Sequence, residues 1–224
     1  MRAVHSDHGL PPLPSASGSG RRGGIHGTLP VEAKAVLKHL QCVGDDSSKH
    51  QIFTIPTQGG RSDFMVTDRS GSNFRYWIRS FAGTEGTTGY LAQLNGCPAW
   101  TVGMRAYISK DGRAPEDVTA TILARGGFPD EKAMKKYVDQ GASELFAQVR
   151  KLDRVPVIRW VAEADPDQEL VLDNRTFDHG GLVHGGFLVW AGDHFEVRQK
   201  VTAAMWPCDG KPIDCDDDPF VEGR

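Results

Sequence analysis

Imidazoles, thiols and arginines set among aromatic rings are the groups through which this sequence could do chemistry. His179, His184 and His194 fall within residues 178–197, DHGGLVHGGFLVWAGDHFEV, and the first two are each followed by Gly-Gly. The cysteines are Cys42, Cys97, Cys208 and Cys215. In residues 73–81, NFRYWIRSF, arginines alternate with rings. Three kinds of chemistry come into view: metal ligation, a thiol nucleophile activated by imidazole, and binding through a cationic and aromatic surface.

Metal ligation requires side chains aimed at one point, so the register of the histidine-rich stretch decides it. With Gly192-Asp193 as a two-residue turn, Ala191 pairs with His194, Trp190 with Phe195, Leu188 with Val197, Gly186 with Gln199 and His184 with Val201. Strand alternation then puts His184, Leu188, Trp190, Phe195, Val197 and Val201 on one apolar, inward face. Glu196, Arg198 and Lys200 point to solvent. His194 sits at the turn and His179 precedes the strand, so the three imidazoles do not converge. Asp178, Asp193, Cys208 and Cys215 are the groups that could complete a ligand set, but the expectation is that no metal is bound. The zinc nucleoside deaminases combine His-x-Glu with Pro-Cys-x-x-Cys. Here HFE at 194–196 and PC at 207–208 depart from that pattern, because Cys215 follows Cys208 by too many residues and Glu196 falls on the outer face.

Cys97 lies in NGCPAWTVGMRAYI. If Pro98 opens a helix, Cys97 sits at its N-terminus, where the dipole and the unpaired N–H groups favour a thiolate. His184 on an inward strand could be its base, with Gln199 orienting the ring. This arrangement resembles papain-like cysteine hydrolases of the amidase or peptidase type, in which a helix-borne Cys packs against a sheet-borne His. The resemblance implies Cys97 as nucleophile, although neither Gly-Ser-Cys-Trp nor Asp-Cys-Ser-Gly is present. The plainer alternative makes Cys97 a small buried apolar residue and His184 a hydrogen-bonded core histidine.

On strand 73–81, Phe74, Tyr76 and Ile78 share one parity, with Phe64 and Val66 of the preceding strand, and read as core. Arg75, Trp77, Arg79 and Phe81 share the other, with Arg61 and Met65 beside them. An exposed face of this kind suits a protein partner or single-stranded nucleic acid: arginines for phosphates or acidic groups, rings for stacking. The best functional expectation is a non-catalytic accessory binding protein that uses Arg61, Arg75, Trp77, Arg79 and Phe81. The cysteine hydrolase is the alternative. No cofactor is expected, since there is no G-x-G-x-x-G after a strand and no lysine in the glycine-rich 83–89 segment.

The elements that must position these groups are short. The chain has 224 residues, 26 of them glycine and 13 proline, with a net charge of -3 that points to no polyanionic or polycationic partner. Residues 1–27 read as a flexible Gly/Ser/Pro/Arg tail. An amphipathic helix follows at LPVEAKAVLKHLQCVG. QIFTIP reads as a strand, SDFMVTD and NFRYWIRSF as a hairpin turning at 69–72, and VTATILA as β-rich. Residues 130–152 give the clearest helical periodicity. VPVIRWVAE, QELVLD, LVHGGFLVW and HFEVRQKVTAA read as strands. The fold class is therefore α+β, a mainly antiparallel β-sheet with two or three packed helices, as a single domain over 28–206. Residues 207–224 read as an acidic surface tail. No apolar run is long enough to span a membrane and no signal peptide is evident, so a soluble cytoplasmic protein with reduced cysteines is expected.

Overall fold

The computed structural model describes residues 51–56, 61–67, 73–95, 104–210 and 218–223. The predicted tail at 1–27, the helix near 30–43, and Cys42, Cys97 and Cys215 lie outside the described residues. The protein is mixed α+β, with antiparallel sheets and, among the described residues, two α-helices. No described helix is long and apolar enough to cross a membrane.

The first sheet is a meander of six strands: β1 (Gln51–Pro56), β2 (Arg61–Thr67), β3 (Asn73–Ala82), β4 (Thr87–Asn95), β5 (Met104–Lys110) and β6 (Glu116–Asp117), paired in sequence order. The predicted hairpin is there, with Thr67 opposite Asn73 and Phe64 opposite Tyr76. Between the sheets come two helices, α1 (Thr119–Ala124) and α2 (Glu131–Val138). The second sheet runs in the order β11 (Phe195–Arg198), β10 (Leu182–Trp190), β8 (Val157–Glu163), β7 (Phe146–Gln148), and β9 (Thr176–Phe177) pairs with the start of β10. Finally β12 (Val201–Thr202) pairs in parallel with β13 (Val221–Glu222).

Three segments differ from their sequence reading. VTATILA forms α1 rather than a strand: the Asp117 carboxylate accepts the Thr119 N–H at 2.8 Å, turning the chain into the helix, and the Thr119 hydroxyl ties the helix to β5 by accepting the Ala106 N–H at 3.0 Å. The helical periodicity of 130–152 ends early. Gly141 takes a positive φ of 83° and the Ala142 N–H returns to the Tyr137 carbonyl at 3.1 Å, closing α2. Leu145 and Leu152 still reach the core, from an extended segment and a 3-10 turn. QELVLD is turn structure leading into a 3-10 turn, and its Val171 is exposed.

The main core lies between the two sheets. Trp77, Phe81, Leu91, Met104 and Ala106 of the first sheet meet Ile158, Trp160, Leu188, Trp190 and Phe195 of the second, and Ile122, Phe128 and Met134 close one end. A second core covers the outer face of the second sheet, where Val157, Phe187 and Val189 pack on Val201, Trp206 and Val221. The acidic segment is thus not wholly a surface tail: residues 218–222 supply β13 and bury Val221.

Close sheet approach depends on small residues. At Gly89 on β4 an added Cβ would lie 2.6 Å from the Trp190 ring, which itself stacks on Phe81 with centroids 6.3 Å apart. A packed indole in a filled core has nowhere to move. Gly89→Ala is therefore expected to lower the unfolding free energy by about 1–3 kcal/mol, measured by guanidinium denaturation; an unchanged midpoint contradicts the inter-sheet packing.

Candidate functional site

The densest polar chemistry sits on the outer face of the second sheet, where an apolar strand carries Arg159. Its side chain is 1% exposed and its partner Asp218 8%. The guanidinium grips the carboxylate with both terminal nitrogens, at 2.5 and 3.0 Å. Asp218 is aimed by its own turn, since its Oδ1 also accepts the Phe220 N–H at 3.2 Å. The guanidinium lies 3.6 Å from the Phe177 ring centroid and 5.0 Å from that of Phe187. Its third donor, Nε–H, points to His184 Nδ1 at 3.1 Å.

That contact fixes the histidine. Arg159 can only donate, so Nδ1 accepts and the ring proton sits on Nε2, which donates to the Gln199 carbonyl at 3.0 Å. The ring is fully buried, stacked on Phe220 with centroids 4.0 Å apart. Burial, reinforced by the positive charges of Arg159 and Arg175, lowers its pKa from 6.5 to about 3. Arg175 donates Nε–H to the His184 carbonyl at 2.7 Å and Nη2–H to Gln199 Oε1 at 2.9 Å.

This corrects the placement of His184. It was expected on the inter-sheet face with Leu188 and Trp190. The register against β8 slips between His184 and Gly186, so His184 lies opposite Val161 and Gly186 opposite Trp160. Gly185 is the extra residue, and Gly186 has a φ of 136°. The slip reverses the parity of His184, which stacks on Phe220 of the outer face, while Leu188, Trp190 and Phe195 stay inside; Val201, in β12, also lies on the outer face. The hairpin beyond the bulge keeps the predicted register, with Trp190 opposite Phe195 and Leu188 opposite Val197. Cys97 lies outside the described residues. The Gln199 backbone carbonyl accepts the His184 Nε2–H, and both ring nitrogens are engaged within the protein.

The basic and aromatic face is covered at Trp77 and Phe81. Its alternation is correct, but Trp77 is 9% exposed and Phe81 3%, both in the core between the sheets. Trp77 donates to Gln93 Oε1 at 2.9 Å; Phe81 meets Phe195 edge-on at 6.1 Å. Arg79 is half-buried, lies 5.2 Å over Phe81 and donates to the Leu152 carbonyl at 2.7 Å. Arg61 and Arg75 share a parity with them on β2 and β3. The opposite face is buried as well, at Ile78 and Tyr90. The expected exposed platform is therefore not available at Trp77 and Phe81, because the second sheet covers it.

No protein family model matches the chain, and no curated protein or solved structure is significantly similar to it. The remaining chemical groups must speak for themselves. His194 lies against Asp193 at 2.5 Å and Glu196 at 3.3 Å on the surface, while His179 is exposed in a turn. No cluster of three or more His, Cys, Asp or Glu suited to a metal occurs among the described residues. Cys208 is disulfide-bonded, which corrects the expectation that this thiol is reduced.

The sequence reading missed two features. One is the Arg159–Asp218 pair; its signal was a lone arginine inside the apolar strand VPVIRWVAE, which demands an acid from somewhere. The other is a cleft of about 240 Å³ between the helices and the second sheet. Its lining includes Phe128, Leu145, Trp160 and Gly185, with Lys136 and Tyr137 of α2. Trp160 is held by its indole N–H on the Gly127 carbonyl at 2.8 Å and by the edge-on Phe128 ring at 6.3 Å.

Two outcomes follow for the polar cluster. Asp218→Asn leaves a buried guanidinium uncompensated and is expected to cost about 3–5 kcal/mol, much of it recovered in Arg159→Met/Asp218→Leu; equal stability of Asp218→Asn and wild type in urea contradicts the pairing. His184 binds its proton less well folded than unfolded, so acid favours the unfolded chain. Stability is complete above pH 6.5 and falls by about 1.4 kcal/mol per unit towards pH 3. His184→Gln should flatten that slope, and an unaltered slope in the variant removes the assignment.

Proposed function

We propose that this is a non-catalytic binding protein that takes a small apolar group into the cleft between α2 and Trp160. The observation that carries the reading is the cleft itself: a concave site lined by aromatic and aliphatic residues with a few polar groups among them is the usual form of a small-ligand pocket. Its volume suits a single ring with a substituent, since a dry apolar cavity of about 150 Å³ accepts benzene. Support for a non-catalytic role comes from His184, whose nitrogens are both engaged inside the protein. The partner surface expected from Arg75, Trp77, Arg79 and Phe81 has less in its favour, since its two rings pack in the core.

Ala133, half-buried on α2, lines the mouth of the cleft, and a larger side chain there would close it from the helix side. Anilinonaphthalene sulfonate should brighten and shift to the blue with the native protein. Ala133→Phe should weaken its binding at least about fivefold, the equivalent of ~1 kcal/mol, with the melting temperature unchanged. No response to the dye, or an equal response in the variant, contradicts the reading.

A further inference from the structure

The outer face of the first sheet is buried, yet neither core buries it. On β3, β4 and β5 the parity opposite to Trp77, Leu91 and Ala106 carries Ile78, Tyr90, Ala92 and Tyr107. Ile78 lies opposite Ala92, and Tyr90 opposite Tyr107, so the four make an apolar stripe across three strands. Each is at most 3% exposed. Neither core includes any of them. At the β6 margin the Ser109 hydroxyl donates to the Arg113 carbonyl at 2.6 Å, and Asp117 pairs with Tyr107. A sheet face dried to this degree needs a second layer over it.

We propose that residues 30–43 are that layer, docked as an amphipathic helix with Ala33, Val36, Leu37, Leu40 and Val43 against Ile78, Tyr90, Ala92 and Tyr107. Those five residues recur at helical spacing, while Lys34, Lys38 and Gln41 fall on the other side. Such a helix is about 21 Å long and about 10 Å across. Three strands spaced about 4.8 Å apart present a face of matching width.

The chain between the two has the reach. β1 begins at Gln51, and only β2 and β3 separate it from β4. That offset is about 14 Å. Residues 44–50 can span about 23 Å. The other stretches outside the described residues fit less well. Residues 57–60 and 68–72 join paired antiparallel strands, and 211–217 lead into the strap on the second sheet. Residues 96–103 must connect β4 to β5.

Contacts between methyl and ring protons, measured by nuclear Overhauser effects in the full chain labelled at leucine and valine, test the docking. Leu37 and Leu40 should contact the Tyr90 and Tyr107 rings. Contacts to those rings from Trp100 instead, contacts seen only between differently labelled copies, or none at all overturn the proposal. Nitration by tetranitromethane gives a second reading. Tyr90 and Tyr107 should resist it in the wild type. Leu37→Asp should raise their reaction rate at least about tenfold, because a carboxylate resists burial and the reagent reaches the undocked face. Lys38→Asp, on the polar side, should leave the rate unchanged. The Trp190 indole N–H, which donates to the Ala82 carbonyl between the sheets, should keep its resonance in both variants and so report an intact fold. Equal rates in Leu37→Asp and wild type, with that resonance in place, also overturn the proposal.

Discussion

A guanidinium on the apolar outer face of a sheet sets the terms for everything that covers that face. Arg159 cannot shed its charge, and an unpaired charge at 1% exposure would cost more than a domain of this size can spare. The chain answers with Asp218, 59 residues later, and to bring that carboxylate into place it must lay residues 218–222 across the sheet. β13 then pairs with β12, and Phe220 and Val221 land on His184, Phe187 and Val201. Further along, Lys151 extends over the Trp206 ring to the Pro207 carbonyl and Asp209, while Arg154 pairs with the same acid. Hydrophobic burial and ion pairing thus hold one segment by the same contacts. Each of the three guanidinium nitrogens of the buried arginine makes a hydrogen bond, which is the condition under which such a pair is tolerated at all.

One inserted residue links this clamp to the cleft on the opposite side. Gly185, bulged out of the pairing between β10 and β8, turns His184 towards Arg159 and presents bare backbone to Leu145 and Trp160. An added Cβ at Gly185 would sit 2.7 Å from Leu145 Cδ2 and 2.9 Å from Trp160 Cβ. The same carbonyl of His184 receives Arg175 from one side and Tyr137 from the other. The imidazole, between the Arg159 Nε–H and the Gln199 carbonyl, is likewise a connector in a buried network. Its depressed basicity is a consequence of that role rather than preparation for proton transfer, since no open nitrogen remains.

Much of the fold was legible from residue patterns because local rules governed it. The Gly192-Asp193 turn fixed the pairing of β10 with β11, and alternating aromatic and β-branched residues marked the hairpin of β2 and β3. What failed did so where a single residue overrode a period. Gly141 stopped a helix that the apolar spacing would have carried to Leu152, and Gly185 reversed the parity that would have kept His184 between the sheets. Alternation also separated the two faces of β3 without revealing that both are covered around Trp77, Ile78 and Phe81, so Trp77 and Phe81 read as exposed when they are core. The Arg159–Asp218 contact and the cleft both join segments far apart in the chain, and no period records such a meeting.

The central claim is that His184 is a sealed, neutral member of the Arg159 network and not an available base. Its imidazole nitrogens, followed by ¹⁵N resonance from pH 8 to pH 5, report this directly. The account predicts a single tautomer protonated at Nε2, with shifts that stay constant across the range. A titration near the ordinary histidine value of about 6.5, or an exchanging mixture of tautomers, would contradict it.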